Sequence, residues 1–179
     1  TWTNITGNLP DGGPVYVVRE DLKNPSLLFA GTEFAVYYSI DGGDSWKRLN
    51  NNLPTVAVYD LTIHPRDNDL IAATHGRGIW ILDDITPLQQ LTKEVRASDA
   101  HLFQNRVATQ WLRIQPHGTG GTIGFRGENP TRNAVINYYL GAPAAGEVKV
   151  EIADVTGASK RTLTTTAKSG VSRLEWDMR

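Results

Sequence analysis

The feature that most constrains this 179-residue sequence is an internal repeat with a period of 43 to 44 residues. Trp2 lies 44 residues before Trp46, and the stretch LLFAGTEFAVYYS (27–39) resembles LIAATHGRGIWIL (70–82) at an offset of 43. Repeats of this length fold as equivalent units that bury one another's faces, so the two copies are predicted to share one structure. The other matched pairs are Leu9-Pro10 with Leu53-Pro54 and Val17 with Leu61.

Each copy of the repeat is predicted to form short strands, because runs rich in Val, Leu, Phe, Tyr and Trp alternate with turn residues. No stretch shows convincing helical periodicity. The last strand of the first copy has no counterpart in the second. Four short strands in about 40 to 45 residues are typical of a β-propeller blade. The predicted strands are 15–19, 27–32, 35–40 and 45–49 in the first copy, and 58–63, 70–75 and 78–82 in the second.

A single blade cannot bury both faces of its sheet, and closed propellers use about 4 to 8 blades. Residues 1–98 are therefore predicted to be the last two blades of an incomplete propeller. Its remaining N-terminal blades, in the same molecule or in a separate fragment, would then be the main partner. An ordinary two-sheet β-sandwich is the alternative for this region.

The stretch SIDGGDSWKRL (39–49) carries a hairpin signal in which Asp41 can accept hydrogen bonds in a glycine-rich turn. Its pattern resembles the Asp-box, or BNR repeat, of sialidases, some β-glucan and xyloglucan hydrolases and sortilin-type propellers. Ser45 stands where that family usually has Thr. The resemblance implies a structural role on the blade periphery for Ser39, Asp41, Gly43, Ser45 and Trp46.

Two functional interpretations of the same stretch remain as alternatives to architecture. A calcium loop would need about 6 to 8 oxygen ligands, and Asp41 and Asp44 alone offer too few. A catalytic acid is the other alternative. No metal site and no cofactor are predicted, since His101 and His117 lack partners at ligand spacing and the chain has no cysteine.

The resemblance extends beyond the Asp-box. The segment 60–88 is similar to the last blade of bacterial sortilin-like or BNR-repeat propellers, and the segments 99–106 and 129–140 resemble the immunoglobulin-like module that follows such propellers. The expected fold is all-β, with C-terminal propeller blades over 1–98, a Gly-rich linker or loop over 99–128 and a small immunoglobulin-like β-sandwich module over 129–179. Strands are predicted at 134–140, 147–153, 160–166 and 171–177.

Three polar residues in equivalent turns, 32–35 and 75–78, are the candidates for ligand binding. Arg77 could bind a carboxylate in a bidentate manner, His75 could transfer protons, and Glu33 could supply a carboxylate. Alternatively, His75 and Arg77 hold loops together by hydrogen bonds. Sialidases need three converging arginines, an aspartate and a tyrosine nucleophile with a glutamate partner, and other glycosidases usually need a carboxylate pair. Neither set can be matched, so no catalytic residue is predicted.

Charge and hydropathy exclude several partners. The net charge is −1, divided as −4 over residues 1–98 and +3 over residues 99–179, which disfavours nucleic acid. No apolar run approaches the ~20 residues of a membrane span.

The function expected from the resemblance is a non-catalytic binding or scaffold portion of a secreted or periplasmic protein, recognising a glycan or protein at the propeller's top face. The alternatives are part of a glycoside hydrolase, with its catalytic residues mostly on missing blades, and a purely structural adhesion segment.

Overall fold

The computed structural model describes residues 1–49, 51–110, 129–166 and 168–179. Over these residues the fold is all-β, with 40% strand, 6% helix and several antiparallel sheets, none closed into a barrel. The chain divides into two compact units, Thr1–Ser98 and Asp99–Arg179. Most of the predicted Gly-rich linker, 111–128, lies outside the described residues.

The first unit holds two antiparallel sheets that correspond to the two sequence repeats. The first sheet has the strand order β1-β2-β3-β4, and the second has the order β5-β6-β7. Two five-residue helices follow, which the sequence did not predict because neither is long enough to show helical periodicity. The elements are β1 (Val15–Glu20), β2 (Leu28–Thr32), β3 (Val36–Ser39), β4 (Lys47–Arg48), β5 (Val58–Ile63), β6 (Leu70–Thr74), β7 (Ile79–Leu82), α1 (Thr86–Gln90) and α2 (Lys93–Ala97).

The repeat is preserved in the pairing of the strands, although β6 follows β2 by 42 residues and not by the 43 of the sequence alignment, because the turn between β5 and β6 is one residue shorter than that between β1 and β2. Val15 lies opposite Thr32 in the first sheet, and Val58 lies opposite Thr74 in the second. Immediately after each of these pairs the register shifts by one residue, so that Tyr16 and Tyr59 are the extra residues of two equivalent β-bulges. A bulge bends its strand and redirects a side chain. The two sheets therefore present their bulged tyrosines in the same way.

The two sheets pack head to tail. We call the face that carries Leu28, Ala30 and Tyr37 in the first sheet its front face, and the face that carries Phe29 and Val36 its back face. By register, the front face of the second sheet carries Leu70, Ala72, Trp80 and Leu82. The main core joins the back face of the first sheet to the front face of the second, so the contact is made by two different faces.

Two residues of the first sheet, Gly31 and Arg19, allow the second sheet to pack closely against it. A Cβ atom at Gly31 would lie 2.7 Å from the carbonyl oxygen of Val58, so only glycine lets β5 approach β2 this closely. Arg19 of β1 donates from Nε to the carbonyl oxygen of Leu61 at 2.7 Å and from Nη2 to Oδ1 of Asp60 at 2.7 Å. The interface between the sheets is thus both tightly packed and hydrogen bonded.

The described residues of the second unit form five strands in two antiparallel sheets. The larger sheet has the order β12-β9-β8, and the smaller pairs β10 with β11. The four predicted strands are present within one residue of their expected bounds. Residues 100–102, which were predicted to be linker, form β8, and Trp176 is only partly buried. The strands are β8 (Ala100–Leu102), β9 (Ala134–Leu140), β10 (Glu147–Ala153), β11 (Lys160–Thr166) and β12 (Gly170–Trp176).

Buried positions in the second unit lie mainly along its central strand. Tyr138 and Asn137 of β9 are buried, and Phe103 is buried beside them, with its N–H bound to the carbonyl oxygen of Asn137 at 3.2 Å. Asn105 accepts a hydrogen bond from the Asn137 N–H through Oδ1 at 2.7 Å. Residues that follow β8 thus hydrogen bond to the backbone N–H and carbonyl groups of Asn137 in β9.

Among the described residues of the whole chain, no helix is long and apolar enough to cross a membrane.

Candidate functional site

Four side chains meet at one end of the first unit's sheets, and we call them the rim cluster: Tyr16, Glu33, Tyr59 and His75. Glu33 follows β2, and His75 occupies the equivalent turn after β6. Successive hairpins of an antiparallel sheet turn at opposite ends. The rim cluster therefore lies at the opposite end of the first sheet from the Asp-box hairpin, which joins β3 to β4.

The rim cluster is a continuous series of contacts across the two sheets. The ring of Tyr16 meets that of Tyr59 edge to face, with centroids 4.6 Å apart and an interplanar angle of 80°. The Tyr59 ring lies 5.2 Å from the imidazole of His75. At the other end of the series, the Tyr16 hydroxyl donates a hydrogen bond to Oε2 of Glu33. Both tyrosines remain substantially exposed, at 41% for Tyr16 and 47% for Tyr59.

Local backbone geometry explains how Glu33 and His75 reach their positions. Glu33 donates its N–H to the carbonyl oxygen of Pro14 at 3.2 Å, and His75 donates its N–H to that of Ala57 at 2.9 Å. Each turn is thus attached to the residues just before its own bulged strand. Gly13 has a φ of 151°, and a Cβ atom there would lie 2.8 Å from Cβ of Glu33. Glycine at position 13 therefore makes room for the Glu33 side chain.

The electrostatics of the rim cluster raise the pKa of Tyr16. The hydrogen bond to Glu33, reinforced by burial and by the negative charge of Glu33, raises the pKa of Tyr16 to about 12. A phenol is protonated at neutral pH with or without this shift, so the Tyr16 hydroxyl acts as a donor, and the Glu33 carboxylate retains lone pairs that can accept from a ligand. Two exposed aromatic rings with a carboxylate at one end and an imidazole at the other offer both stacking surface and hydrogen-bonding groups.

The structure brings two of the three predicted ligand-binding residues into this cluster. Glu33 and His75 are joined through the two tyrosines, which the sequence analysis did not single out. Arg77 is not joined to them: its carbonyl oxygen accepts the indole N–H of Trp80 at 3.0 Å, and its side chain is exposed. In the described part of the chain, no hydrogen bond or ion pair of the Arg77 guanidinium is recorded. The signal that would have revealed the tyrosines is their equal position in the repeat.

The Asp-box residues form a hydrogen-bonded turn at the other end of the first sheet. Oδ1 of Asp41 accepts from the Ser39 hydroxyl at 2.7 Å and from the Ser45 N–H at 2.9 Å, and Oδ2 accepts from the Ser45 hydroxyl at 2.5 Å. Ser39 Oγ in turn accepts from the Gly43 N–H at 2.9 Å. Partial burial alone would raise the pKa of Asp41, but these hydrogen bonds from Ser45 and Ser39 lower it to about 2.

Trp46, the last residue of the Asp-box, is buried on the front face of its own sheet. It packs against Leu28, Ala30 and the partly buried Tyr37 and Leu9, and it is 4% exposed. The indole fills a site built by its own sheet and by residues that precede β1.

The segment before β1 holds Trp46 by three hydrogen bonds. Asn8 clamps the tryptophan backbone, accepting from its N–H through Oδ1 at 2.6 Å and donating from Nδ2 to its carbonyl oxygen at 3.0 Å. The indole N–H donates to the carbonyl oxygen of Ile5 at 2.8 Å. Residues 2–5 themselves form no strand.

Comparison of this chain with protein-family models, with curated proteins and with solved structures gives no match. Functional assignment therefore depends on the geometry of the rim cluster and on the packing of the two sheets. In the described ranges, no group of three or more His, Asp or Glu side chains is placed to hold a metal ion.

Proposed function

We propose that residues 1–98 form two blades of an Asp-box β-propeller and that this chain is a non-catalytic binding portion that recognises a glycan at the rim cluster. The blade assignment is supported by the head-to-tail packing of the two sheets, in which a back face covers a front face. An interface between unlike faces can repeat and close into a ring, which is how propellers are built. The remaining blades would belong to the same protein or to a separate fragment.

The observation that supports binding at the rim is the exposed tyrosine pair between Glu33 and His75. Aromatic side chains usually bury their rings, and a contiguous exposed pair flanked by polar groups is typical of a recognition surface. The rings of Tyr16 and Tyr59 offer an apolar surface to the C–H groups of a sugar ring. Glu33 can accept from sugar hydroxyls, and His75 can either donate or accept.

The second unit fits a reduced immunoglobulin-like module. Its two antiparallel sheets, with strands such as β10 and β12 in which burial alternates along the strand, are compatible with a small sandwich. Together with the Asp-box pattern, this arrangement supports a secreted or periplasmic location for the protein.

The binding proposal is tested by calorimetric titration of the 179-residue chain with a panel of neutral and acidic oligosaccharides. Tyr59→Ala should abolish binding of the best ligand, whereas Tyr59→Phe, which keeps the ring, should retain most of it. Val171→Ala, at a similarly exposed position of the second unit, is the matched surface control. Absence of binding to any glycan, or binding that Tyr59→Ala leaves intact, would reject the glycan proposal. Binding of a peptide or protein that depends on Tyr59 would reassign the rim cluster to protein recognition.

A glycoside hydrolase is the second candidate, and the hydrogen bond between Tyr16 and Glu33 favours it. A tyrosine with a glutamate partner is one part of the sialidase requirement, although the converging arginines are not seen among the described residues at the rim. Assay of the chain with aryl glycosides, including sialosides, distinguishes the candidates. Turnover that is lost in Tyr16→Phe would establish an enzyme. Glycan binding without turnover supports the non-catalytic assignment.

A further inference from the structure

Glu33 of the rim cluster is a carboxylate without a positive partner. Its Oε2 atom accepts the Tyr16 hydroxyl, and among the described residues no lysine or arginine side chain forms an ion pair with it. The side chain is partly buried beside Gly13. A charge that is partly removed from water interacts more strongly with an opposite charge than one in bulk solvent does. The Glu33 end of the rim cluster is therefore suited to a cation.

The two tyrosines of the rim cluster form a corner and not a flat platform. Their ring planes are 80° apart, and their centroids are separated by 4.6 Å. The face of an aromatic ring is the negative part of its quadrupole, and an ammonium group within about 6 Å of the ring centroid is attracted to it. Aromatic cages that hold ammonium groups surround the cation with several such rings. The corner between Tyr16 and Tyr59 thus offers two ring surfaces to one cation.

Further aromatic surface lies in the turn that carries Glu33. The next residue, Phe34, is 48% exposed, a fraction similar to those of the two tyrosines. Its Cε2 atom is 3.5 Å from the position of a Cβ atom at Gly13, the residue whose missing side chain makes room for Glu33. Glu33 is thus bordered by exposed rings from its own turn and from β1.

The charge of the first unit also favours a cationic ligand. Residues 1–98 carry a net charge of −4, and Asp11 is exposed in the loop that leads to Gly13. Arg77 follows His75 by two residues, so it belongs to the turn at the end of the series away from Glu33. A negative field around a site raises the local concentration of positively charged ligands. The surroundings of the rim cluster therefore reinforce the attraction that Glu33 exerts.

We propose that the rim cluster recognises an amino sugar, whose ammonium group lies in the corner between Tyr16 and Tyr59 and donates a hydrogen bond to Glu33. The inference rests on the proposed glycan-binding function and names the class of glycan. Tyr16 joins the two parts of the site, because its ring contacts Tyr59 and its hydroxyl contacts Glu33. The C–H groups of the sugar ring pack against Tyr59, and its hydroxyls hydrogen bond to His75.

A lysine side chain of another protein offers the same ammonium group, but the open geometry of the rim cluster favours the sugar. The lysine stem is flexible and loses much rotamer freedom when its end is fixed. Two exposed rings at a corner enclose such a stem poorly. The amino group of a sugar is attached to a rigid ring that packs on the tyrosines at the same time, so less conformational freedom is lost on binding.

The first test is calorimetric titration of the 179-residue chain with a matched pair of oligosaccharides, one built from glucosamine and the other from N-acetylglucosamine. The two share the sugar ring and the linkage, and only the first carries a positive charge on its nitrogen. At a pH at which the amine is protonated, we expect the glucosamine oligomer to bind at least about tenfold more tightly, because hydrogen bonds between charged groups are the stronger ones. Added salt should reduce this preference.

The second test removes the charge of Glu33 and little else. In Glu33→Gln the amide oxygen can still accept the Tyr16 hydroxyl, but the negative charge is gone. We expect the preference for the glucosamine oligomer to disappear, while binding of the N-acetylglucosamine oligomer remains. Tyr16→Phe, which keeps both the ring and the carboxylate, should retain the preference. The matched control is Asp44→Asn, which removes a carboxylate from the hairpin at the opposite end of the first sheet and should also retain it.

Equal affinity for the two oligomers, or a preference that survives in Glu33→Gln, would overturn the amino-sugar inference. Binding of neutral oligosaccharides through Tyr59 would in that case leave the proposed function in place, whereas failure of every oligosaccharide would reject both. A lysine-rich peptide that binds where the glucosamine oligomer does not would also overturn the inference and assign the rim cluster to a basic protein segment. The comparison of the two oligomers needs no variant, so it decides the question even if Glu33→Gln is unstable.

Discussion

Arg19 of β1 donates a 2.7 Å hydrogen bond to Asp60 of β5, which ties the first strand of one sheet to the first strand of the next. Both side chains are about half exposed, so the ion pair itself is worth at most about 1 kcal/mol. The guanidinium also binds the carbonyl oxygen of Leu61, a contact that does not depend on the carboxylate. The arginine is therefore the more important member of the pair.

We expect Arg19→Met to lower the free energy of unfolding by about 1 to 2 kcal/mol, and Asp60→Asn by less than about 1 kcal/mol. A double-mutant cycle read by urea denaturation measures the coupling, which should be below about 1 kcal/mol. If Asp60→Asn proved as costly as Arg19→Met, the carboxylate would be the principal partner and this account of the interface would be wrong.

Replacement of Gly31 should be among the most damaging single-methyl changes in the first unit. Gly31→Ala places a Cβ atom 2.7 Å from the Val58 carbonyl oxygen and 2.8 Å from a methyl group of Val17, so the sheets must separate. We expect a loss of about 1 to 3 kcal/mol in thermal or urea unfolding. The control is Ala73→Gly, at the equivalent position of the second sheet, where only the modest backbone cost of glycine, about 0.5 to 1 kcal/mol, applies.

The Asp-box carboxylate should matter for its hydrogen bonds. Asp41→Asn keeps the size of the side chain but replaces one carboxylate oxygen, which accepts from the Ser45 hydroxyl, with an amide donor. We expect a loss of about 1 kcal/mol in urea unfolding. The control is Asp44→Asn in the same loop. It removes the same charge, but the Asp44 side chain makes no hydrogen bond within the described ranges. A comparable loss in both variants would indicate a general charge effect.

The low pKa of Asp41 predicts a specific acid sensitivity. Its pKa falls from 3.8 to about 2 on folding, so between these values the unfolded chain binds more protons than the folded chain. Stability from this group is therefore fully present above about pH 4 and is lost as the pH falls toward 2. Urea midpoints measured between pH 6 and pH 2 should decline less steeply in Asp41→Asn. Identical pH profiles in the two proteins would contradict a lowered pKa at this residue.

Strands were the most predictable part of the molecule, since alternating apolar residues and turn signals locate β9 and β10 almost to the residue. The repeat also placed Ile79 and Trp80 in register with Val36 and Tyr37, as the structure does. The helices α1 and α2 escaped prediction because each has only five residues. α1 is also held by a tertiary contact, in which Gln89 donates from Nε2 to buried Asp21 at 2.9 Å.

The candidate site was only partly accessible from sequence. Glu33 and His75 were found because they occupy equivalent turns, but nothing local distinguishes Tyr16 and Tyr59 from ordinary strand tyrosines. Their shared character depends on the bulges, which arise from the register between β1 and β2 and between β5 and β6. Arg77 shares the turn of His75, yet side-chain direction within a glycine-rich turn is set by backbone angles that sequence spacing does not reveal.

The relation between Trp46 and the two leucines that follow it, Leu49 and Leu53, has a consequence for how such a chain could grow. The tryptophan packs on one sheet, whereas the two leucines pack against the core between that sheet and the next. One repeat of the sequence therefore does not coincide with one sheet. Duplication of one repeat period would copy the last strand of one sheet together with the first strands of the next. Every added copy would then carry the residues that attach it to the copy before it.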